Sequence, residues 1–329
     1  TYMSQALKTI VARQRMLLQG RLEAALGRLE APCRSAWPER QALEAILIQA
    51  LPALASCKYL YILDAAARQI TANISPQGPL PEHLGRDRHD RPYLAEALAG
   101  ERFSLSAVYI SRNARRPSLT AVQRLEDGRG RLLGFLGADF DLRDLPLTRE
   151  LYEQPGQWVQ LKGDPAIRGG LFQQQRVESL MDQRIDPILD LMVELIAAHG
   201  VFHAKLHFSS SRATLWLMDD PYRFRLLAYE DLADPGICLA FPRRPYPTDA
   251  DIPLERVREV FATFKALRLM DETIYLRSGS LNIFNGIVGL NFSCDGSHYM
   301  PWGEFLHKSL AFWLGSGESC VLNGEGDGG

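Results

Sequence analysis

The chain has 329 residues, 46% of them hydrophobic and 23% charged, a composition that fills a globular core without metals or disulfides as staples. That length exceeds one average domain of roughly 150 residues and suits two. A net charge of -2 and a pI of about 6.4 exclude a chain-wide attraction for nucleic acid or anionic lipid, so charge-based recognition has to be local.

The five cysteines, Cys33, Cys57, Cys238, Cys294 and Cys320, are scattered, odd in number and form no CxxC pair. This argues against a disulfide framework or a thiolate zinc site and for reduced thiols, hence a cytoplasmic chain; a detached extracytoplasmic piece of a membrane receptor is the alternative. The longest apolar runs, 42–55 and 189–198, are broken by Glu44, Gln49, Asp190 and Glu194 and fall short of the ~20 apolar residues of a membrane span. No basic segment followed by an apolar one opens the chain, so no signal peptide is expected.

Residues 4–30 repeat apolar positions (Leu7, Val11, Leu18, Leu22, Ala25, Leu29) at three-, four- and seven-residue spacings, which predicts one amphipathic helix. At 1.5 Å per residue it spans roughly 40 Å, more than one small domain covers, so part of its stripe is expected to meet a second copy in a homodimer. A second helix is expected over 41–54. The period then switches to two: 58–64 (KYLYILD) and 69–74 (QITANI) read as a hairpin. A polar loop over 75–88 leads to a short helix over 90–99 ending at Gly100, and strands follow at 104–111, 118–125 and 131–141, the last two joined by a Gly-rich turn. One antiparallel sheet with helices packed on it is the simplest architecture for this order.

Within this region, GRDRHDRPYLAEALAG (85–100) and SLSAVYISRNARRPSLTAVQRLEDGRGRLLGFLGADFDLRDL (104–145) resemble the core of Cache/PDC sensor domains. In that family an Arg-Pro-Tyr helix, a Tyr-x-Ser strand and a last strand ending in Gly-x-Asp wall a ligand pocket. The resemblance implies an α+β fold, a PAS-like five-stranded antiparallel sheet with a long N-terminal helix followed by a second α+β domain. It also implies non-catalytic sensing of a small molecule in bacterial signal transduction, without a cofactor, through a protein signalling partner.

The residues it implies for the pocket are Arg91, Tyr93, Tyr109, Ser111, Thr120 and Asp139. Arg91 and Tyr93 stand at a helix start, where free N–H groups favour a carboxylate; the bland alternative pairs Arg91 with Asp87 or Asp90 and puts Tyr93 in the core. Tyr109 and Ser111, two apart on a strand, share a face, and Thr120 and Asp139 complete the wall, with Gly137 leaving space beside Asp139. A carboxylate among Leu, Gly, Phe and Ala is costly to bury unless a cation or donor meets it; in amino-acid-binding Cache domains the corresponding position receives the ligand amine. The alternative is a strand-end carboxylate in water. Amino-acid binders carry Trp-Tyr after the arginine, whereas this chain has Pro92-Tyr93-Leu94. With Arg86, Arg88, Arg112, Arg115 and Arg116 in the surrounding loops, a small organic acid becomes the preferred ligand and an amino acid the alternative.

The expected division is a sensor domain over 1–152, a Pro- and Gly-broken linker over 153–170, an α+β domain over 171–314, and a disordered Gly-rich tail over 315–329. Residues 171–199 read as a long helix kinked at Pro187, followed by strands at 204–209, 212–218, 224–229 and 237–241. A helix over 253–269, strands at 273–282 and 286–293 and a closing helix over 302–314 complete it. An enzymatic alternative rests on Cys294/His298 or His203/His207. A Gly-containing turn explains the first pair more simply, and ordinary strand histidines explain the second, so no catalytic or metal residue is assigned.

Overall fold

In the computed structural model the described residues are 2–111, 116–145, 175–293, 296–308 and 310–313. Helix α1 (Tyr2–Gly27), α2 (Glu30–Ala36) and α3 (Arg40–Ala50) precede strands β1 (Cys57–Asp64), β2 (Asn73–Ser75) and β3 (Gly78–Leu80). A 3-10 turn, Pro92–Leu94, runs into α4 (Ala95–Ala99), which Gly100 ends in a left-handed conformation, φ 119°. Strands β4 (Phe103–Leu105), β5 (Tyr109–Ile110), β6 (Pro117–Glu126) and β7 (Leu132–Asp141) follow. After the undescribed stretch come α5 (Leu180–Gln183), α6 (Ile185–Ala198), β8 (Val201–His207), β9 (Arg212–Leu217), β10 (Asp220–Leu227), α7 (Tyr229–Leu232) and a 3-10 helix, Pro235–Ala240. Last are α8 (Leu254–Leu269), β11 (Leu276–Asn282), β12 (Ile287–Phe292), β13 (Ser297–Pro301), α9 (Trp302–His307) and α10 (Leu310–Trp313).

Internal packing divides the chain into two compact units: Thr1–Trp158 with Asp186–Gly200 and Leu227–Pro245, and Val159–Ile185 with Val201–Leu226 and Tyr246–Gly329. The sequence suggested a sequential split instead. The interleaving arises because α6 and the 235–240 segment pack with the first unit; Gly236, for instance, lies against Val11 of α1 and Val108.

The first unit is an antiparallel seven-stranded sheet in the order β3-β2-β1-β7-β6-β4, with β5 also on β6. Alternation along KYLYILD sends Tyr59, Tyr61 and Leu63 to one face and Leu60 and Ile62 to the other, and both faces are buried. On the first face Tyr61, Leu63, Val122 and Phe135 pack with Tyr93, Leu94 and Ala97 of the 3-10 turn and α4. On the other, Gly134 leaves room for the Trp37 ring, which follows α2. Leu18, Leu22 and Leu26, four apart on α1, are buried, and Arg15 donates to the carbonyls of Leu105 and Ser106.

Two expected strands change where side chains take over the ladder. Thr71 Oγ1 accepts the Ile62 N–H (2.8 Å), so 69–74 pairs regularly only from Asn73 onward. Ser106 Oγ accepts the Thr120 N–H (3.0 Å) and splits 104–111 into β4 and β5.

The second unit is an antiparallel sheet of order β10-β9-β8-β11-β12-β13. α8 lies on one face: Phe264 sits over Gly279, beside buried Val257, Val260, Phe261 and Leu267. Arg268, also buried, grips Asp182 bidentately (Nε to Oδ1 2.8 Å, Nη2 to Oδ2 2.7 Å), and Ser179 and Asp182 form a capping box on α5.

Four expectations for this half are corrected. The helix breaks at Arg184, so Pro187 sits in the first turn of α6, where its missing N–H costs nothing and no kink is needed. Residues 237–240 lie in a 3-10 helix, with Phe241 extended after it, because Pro235 sets the turn and Asp234 caps Gly236. The closing helix divides at Lys308. The stretch around His298, expected to be a turn, begins strand β13, paired to β12. Residues 153–170 and 315–329 lie outside the described residues. Among the described residues no helix is long and apolar enough to cross a membrane.

Candidate functional site

The site is built on the β1-β7-β6 centre of the first sheet. Tyr59 and Thr120 are both register partners of Asp139, and Tyr61 and Val122 are partners of Gly137 one row away on the same face. A Cβ at Gly137 would stand 2.4 Å from the Tyr61 ring, so the glycine does not leave empty space, as the sequence suggested; it lets that ring lie flat across β7. This posture carries the Tyr61 hydroxyl to Asp139 Oδ1 (3.1 Å), where the Thr120 hydroxyl also donates (2.7 Å). Tyr109 bonds the same Thr120 oxygen (3.0 Å), and its ring faces Tyr93 with centroids 6.0 Å apart.

The cation of the network is Arg88, which the sequence placed in the loop at the mouth. It is buried, its guanidinium lies 4.2 Å above the Tyr61 ring centroid, and it donates to the Tyr93 hydroxyl (3.0 Å), Gln69 Oε1 (2.5 Å) and Asn73 Oδ1 (3.4 Å). Gln69 in turn donates to Asn73 and to the Thr71 carbonyl, so the irregular 69–74 segment is the bracket that holds the arginine.

Two groups keep unspent capacity. Both hydrogen bonds to Asp139 end on Oδ1, and Oδ2 receives none among the described residues. Arg88 Nε, fully enclosed, has no hydrogen-bond partner there either. Burial pushes the Asp139 carboxyl above its ordinary value, against the opposing pull of the Thr120 hydroxyl, Arg88 and the Tyr61 hydroxyl. Burial likewise raises the Tyr61 and Tyr109 phenols, with Asp139 adding to it, so both stay protonated donors at neutral pH. Asp139, Tyr59 and Tyr109 nevertheless remain only partly covered, which makes Asp139 an enclosed carboxylate with an approach left to it.

Of the expected residues, Tyr93, Tyr109, Thr120 and Asp139 come together. Arg91 is half-buried and makes no side-chain hydrogen bond or ion pair among the described residues, including with Asp87 or Asp90. Ser111 lies just past β5, where its N–H donates to the Arg116 carbonyl (2.9 Å). The residues that sequence reasoning missed are Tyr61, Arg88, Gln69 and Asn73. Tyr61 was legible as the same-face neighbour of Tyr59, whereas nothing in an arginine-rich loop distinguishes the one arginine that folds inward.

Of the enzymatic alternatives, only His298, His203 and His207 fall among the described residues. Cys294 lies outside the described residues, and His298 packs against Phe292 and Trp313. His203 stacks on Trp216 (4.4 Å) and His207 bonds Thr214 (2.9 Å). Among the described residues no three His, Cys, Asp or Glu side chains are grouped to hold a metal.

No family model matches the chain, and no curated protein does. Among solved structures it is similar to the ligand-binding domain of the Campylobacter jejuni chemoreceptor Tlp3 in complex with 4-methylisoleucine, with a TM-score of 0.36 and 15% identity over 47% of this chain and 62% of that one. It is similar also to the Tlp3 sensory domain with isoleucine bound, with a TM-score of 0.34 and 15% identity over 44% of this chain and 59% of that one. A third is the ligand-binding domain of the Pseudomonas fluorescens chemoreceptor CtaA in complex with L-isoleucine, with a TM-score of 0.31 and 19% identity over 43% and 56%. The matched part thus spans less than two thirds of each of those chains. All three are ligand-binding or sensory domains of chemoreceptors.

Proposed function

We propose that the first unit is a non-catalytic sensor domain that binds a small amino acid on the Asp139–Arg88 network and signals through a protein partner. The observation that carries this reading is the bare Oδ2 of Asp139. An enclosed carboxylate with one oxygen saturated and the other unspent is completed by a ligand cation or donor, and an ammonium group supplies both. This favours the amine-bearing alternative over a plain organic acid, which would bring a second negative charge to the same spot. Tyr93, Tyr109, Thr120 and Asp139 wall the site with Tyr61 and Arg88, and Arg91 and Ser111 are assigned to its rim. A homodimer through α1 belongs to the same proposal. Since Leu18, Leu22 and Leu26 are spent inside the unit, that contact would draw on exposed Met16 and Leu17.

A thermal-shift screen of amino acids and small organic acids tests it, starting from the isoleucine and valine found in the chemoreceptor domains. A ligand at 100 times its dissociation constant stabilises the fold by about 2.7 kcal/mol, a shift easily read. Removing one charge-assisted bond costs about 1.5–3 kcal/mol, so Asp139→Asn and Arg88→Gln should each weaken binding roughly ten- to a hundredfold, and Arg91→Ala far less. If no amino acid shifts the transition, or if Asp139→Asn binds the ligand as wild type does, the reading fails.

A further inference from the structure

The second unit carries a polar sheet face opposite α8. Register fixes its members: His203, Lys205 and His207 on β8 stand beside Trp216, Thr214 and Arg212 on β9 and beside Asn282, Ser280 and Ser278 on β11. Beyond β11, Ser280 and Ser278 are paired with Gly289 and Asn291, which are paired with Tyr299 and Ser297 on β13. Cross-strand partners share a face, so these residues form one surface, and no carboxylate occurs among them. The intervening residues Ala204, Leu206, Leu281, Val288 and Leu290 are buried on the side of α8.

At the centre, His203 and Lys205 on β8 and their partners Asn282 and Ser280 on β11 make a two-by-two block. Lys205 forms no hydrogen bond or ion pair among the described residues, and its charge bears on His203. His203 is held upright by Trp216; burial first, then Lys205, lowers its pKa to about 4, so it stands neutral beside the ammonium. Asn282 uses its Oδ1 on the N–H groups of Phe284 and Asn285, which leaves its amide N–H₂ to donate. The Ser280 hydroxyl faces glycine on its far side, and the Tyr299 ring, 72% exposed, leans over that glycine. The block measures about 5 Å across the strands and 7 Å along them, the scale of one tetrahedral anion.

We propose that this block is a binding site for the phosphate group of a small molecule, with Lys205 as its charge and Ser280, Asn282 and His203 as neutral donors. A lysine point charge among donors arriving from two strands suits three oxygens in a tetrahedron. A planar carboxylate is better matched by an arginine fork, and Arg212, on β9 one row beyond the block, stands exposed. Nothing in this proposal depends on the sensor assignment of the first unit.

The test is an NMR titration of the full chain with sodium phosphate, set against sodium chloride at matched ionic strength. Saturable shifts are expected at the amides of 203–205 and 280–282 and at the His203 ring. Lys205→Gln should weaken the site roughly tenfold or more, the scale of one charge-assisted bond, while Arg256→Gln, on exposed α8 surface, should leave it unchanged. Acetate should bind at least tenfold more weakly than phosphate. No saturable shift, equal affinity in Lys205→Gln, or acetate binding as well as phosphate would each overturn the proposal.

Discussion

Each unit sets a buried arginine near an aspartate, Arg88 near Asp139 and Arg268 on Asp182, and the two pairs are spent differently. In the second unit all five N–H groups of Arg268 are engaged: with Asp182 on Nε and Nη2, Ser209 and the Leu276 carbonyl on Nη1, and the Val177 carbonyl on Nη2. Both Asp182 oxygens are used, Oδ2 also accepting the Ser179 N–H. In the first unit, among the described residues, Arg88 keeps an idle Nε and Asp139 an idle Oδ2, and the two residues share no hydrogen bond, only tyrosine intermediaries. A saturated pair behaves as a structural clamp and leaves nothing for a ligand. An unsaturated pair is costly in isolation, and a ligand that completes it recovers that cost.

The sharpest way to break this contrast is to remove one partner of the saturated pair. Arg268→Ala takes from the buried Asp182 side chain its bidentate partner and leaves it the Arg176 guanidinium at 3.8 Å and the Ser179 N–H. Breaking a buried pair typically costs about 3–5 kcal/mol, and the remaining Arg176 sets the loss toward the lower end, still enough to melt the second unit first in a thermal scan. Asp182 adds a pH signature. Burial works against its ionisation, but the Arg268 bonds and the Ser179 N–H outweigh it, so its folded pKa lies below the ordinary carboxylate value. Its contribution is therefore complete above the unfolded pKa, about 3.9, and is lost as pH falls through the depressed folded value. Acid should erode the wild-type second unit over that window and leave Arg268→Ala, already lacking the clamp, with a flatter profile. An Arg268→Ala protein as stable as wild type would remove the structural half of the comparison.

Gly137→Ala should have an intermediate effect. The new methyl meets the Tyr61 ring on β1, and since both lie in a packed sheet, relief requires moving a side chain that carries a bond to Asp139. Overpacking of this kind costs about 1–3 kcal/mol. Here it should also weaken ligand binding, because the displaced hydroxyl no longer holds Oδ1. Calorimetric unfolding and a binding titration on the same variant check it; loss of stability with unchanged binding would mean that Tyr61 only packs.

How far the sequence foretold this differs between the two arginines. The strand pattern of KYLYILD, the hairpin of β6 and β7 and the Thr120–Asp139 row follow from two-residue periodicity and register, which are local properties. So does α1, whose four-residue spacing names its buried stripe. Which arginine of RDRHDR turns inward is decided by Gln69 and Asn73, about 15–19 positions earlier in the chain, and no spacing rule encodes that. The interleaving of α6 with the first unit is of the same non-local kind.

The smallest effect is also the most discriminating, and it concerns Asp139 alone. In the empty site burial raises its pKa, so it binds a proton more readily folded than unfolded, and the first unit loses stability as pH rises from the unfolded pKa toward the raised folded one. A ligand ammonium needs the ionised carboxylate. Its affinity should therefore grow as pH rises through that folded pKa and level off above it, by a factor of up to ten for each pKa unit of the shift. A plain organic acid should do the reverse and bind better once Asp139 is protonated. In Asp139→Asn neither trend can arise from this position, so its ligand-induced melting shift should be flat across the same range. Measuring that shift for wild type and variant at pH values on both sides of the titration reads the ligand class from the sign of the slope. A rising slope in wild type that persists unchanged in Asp139→Asn would place the titrating group elsewhere and free Asp139 from any role in ligand recognition.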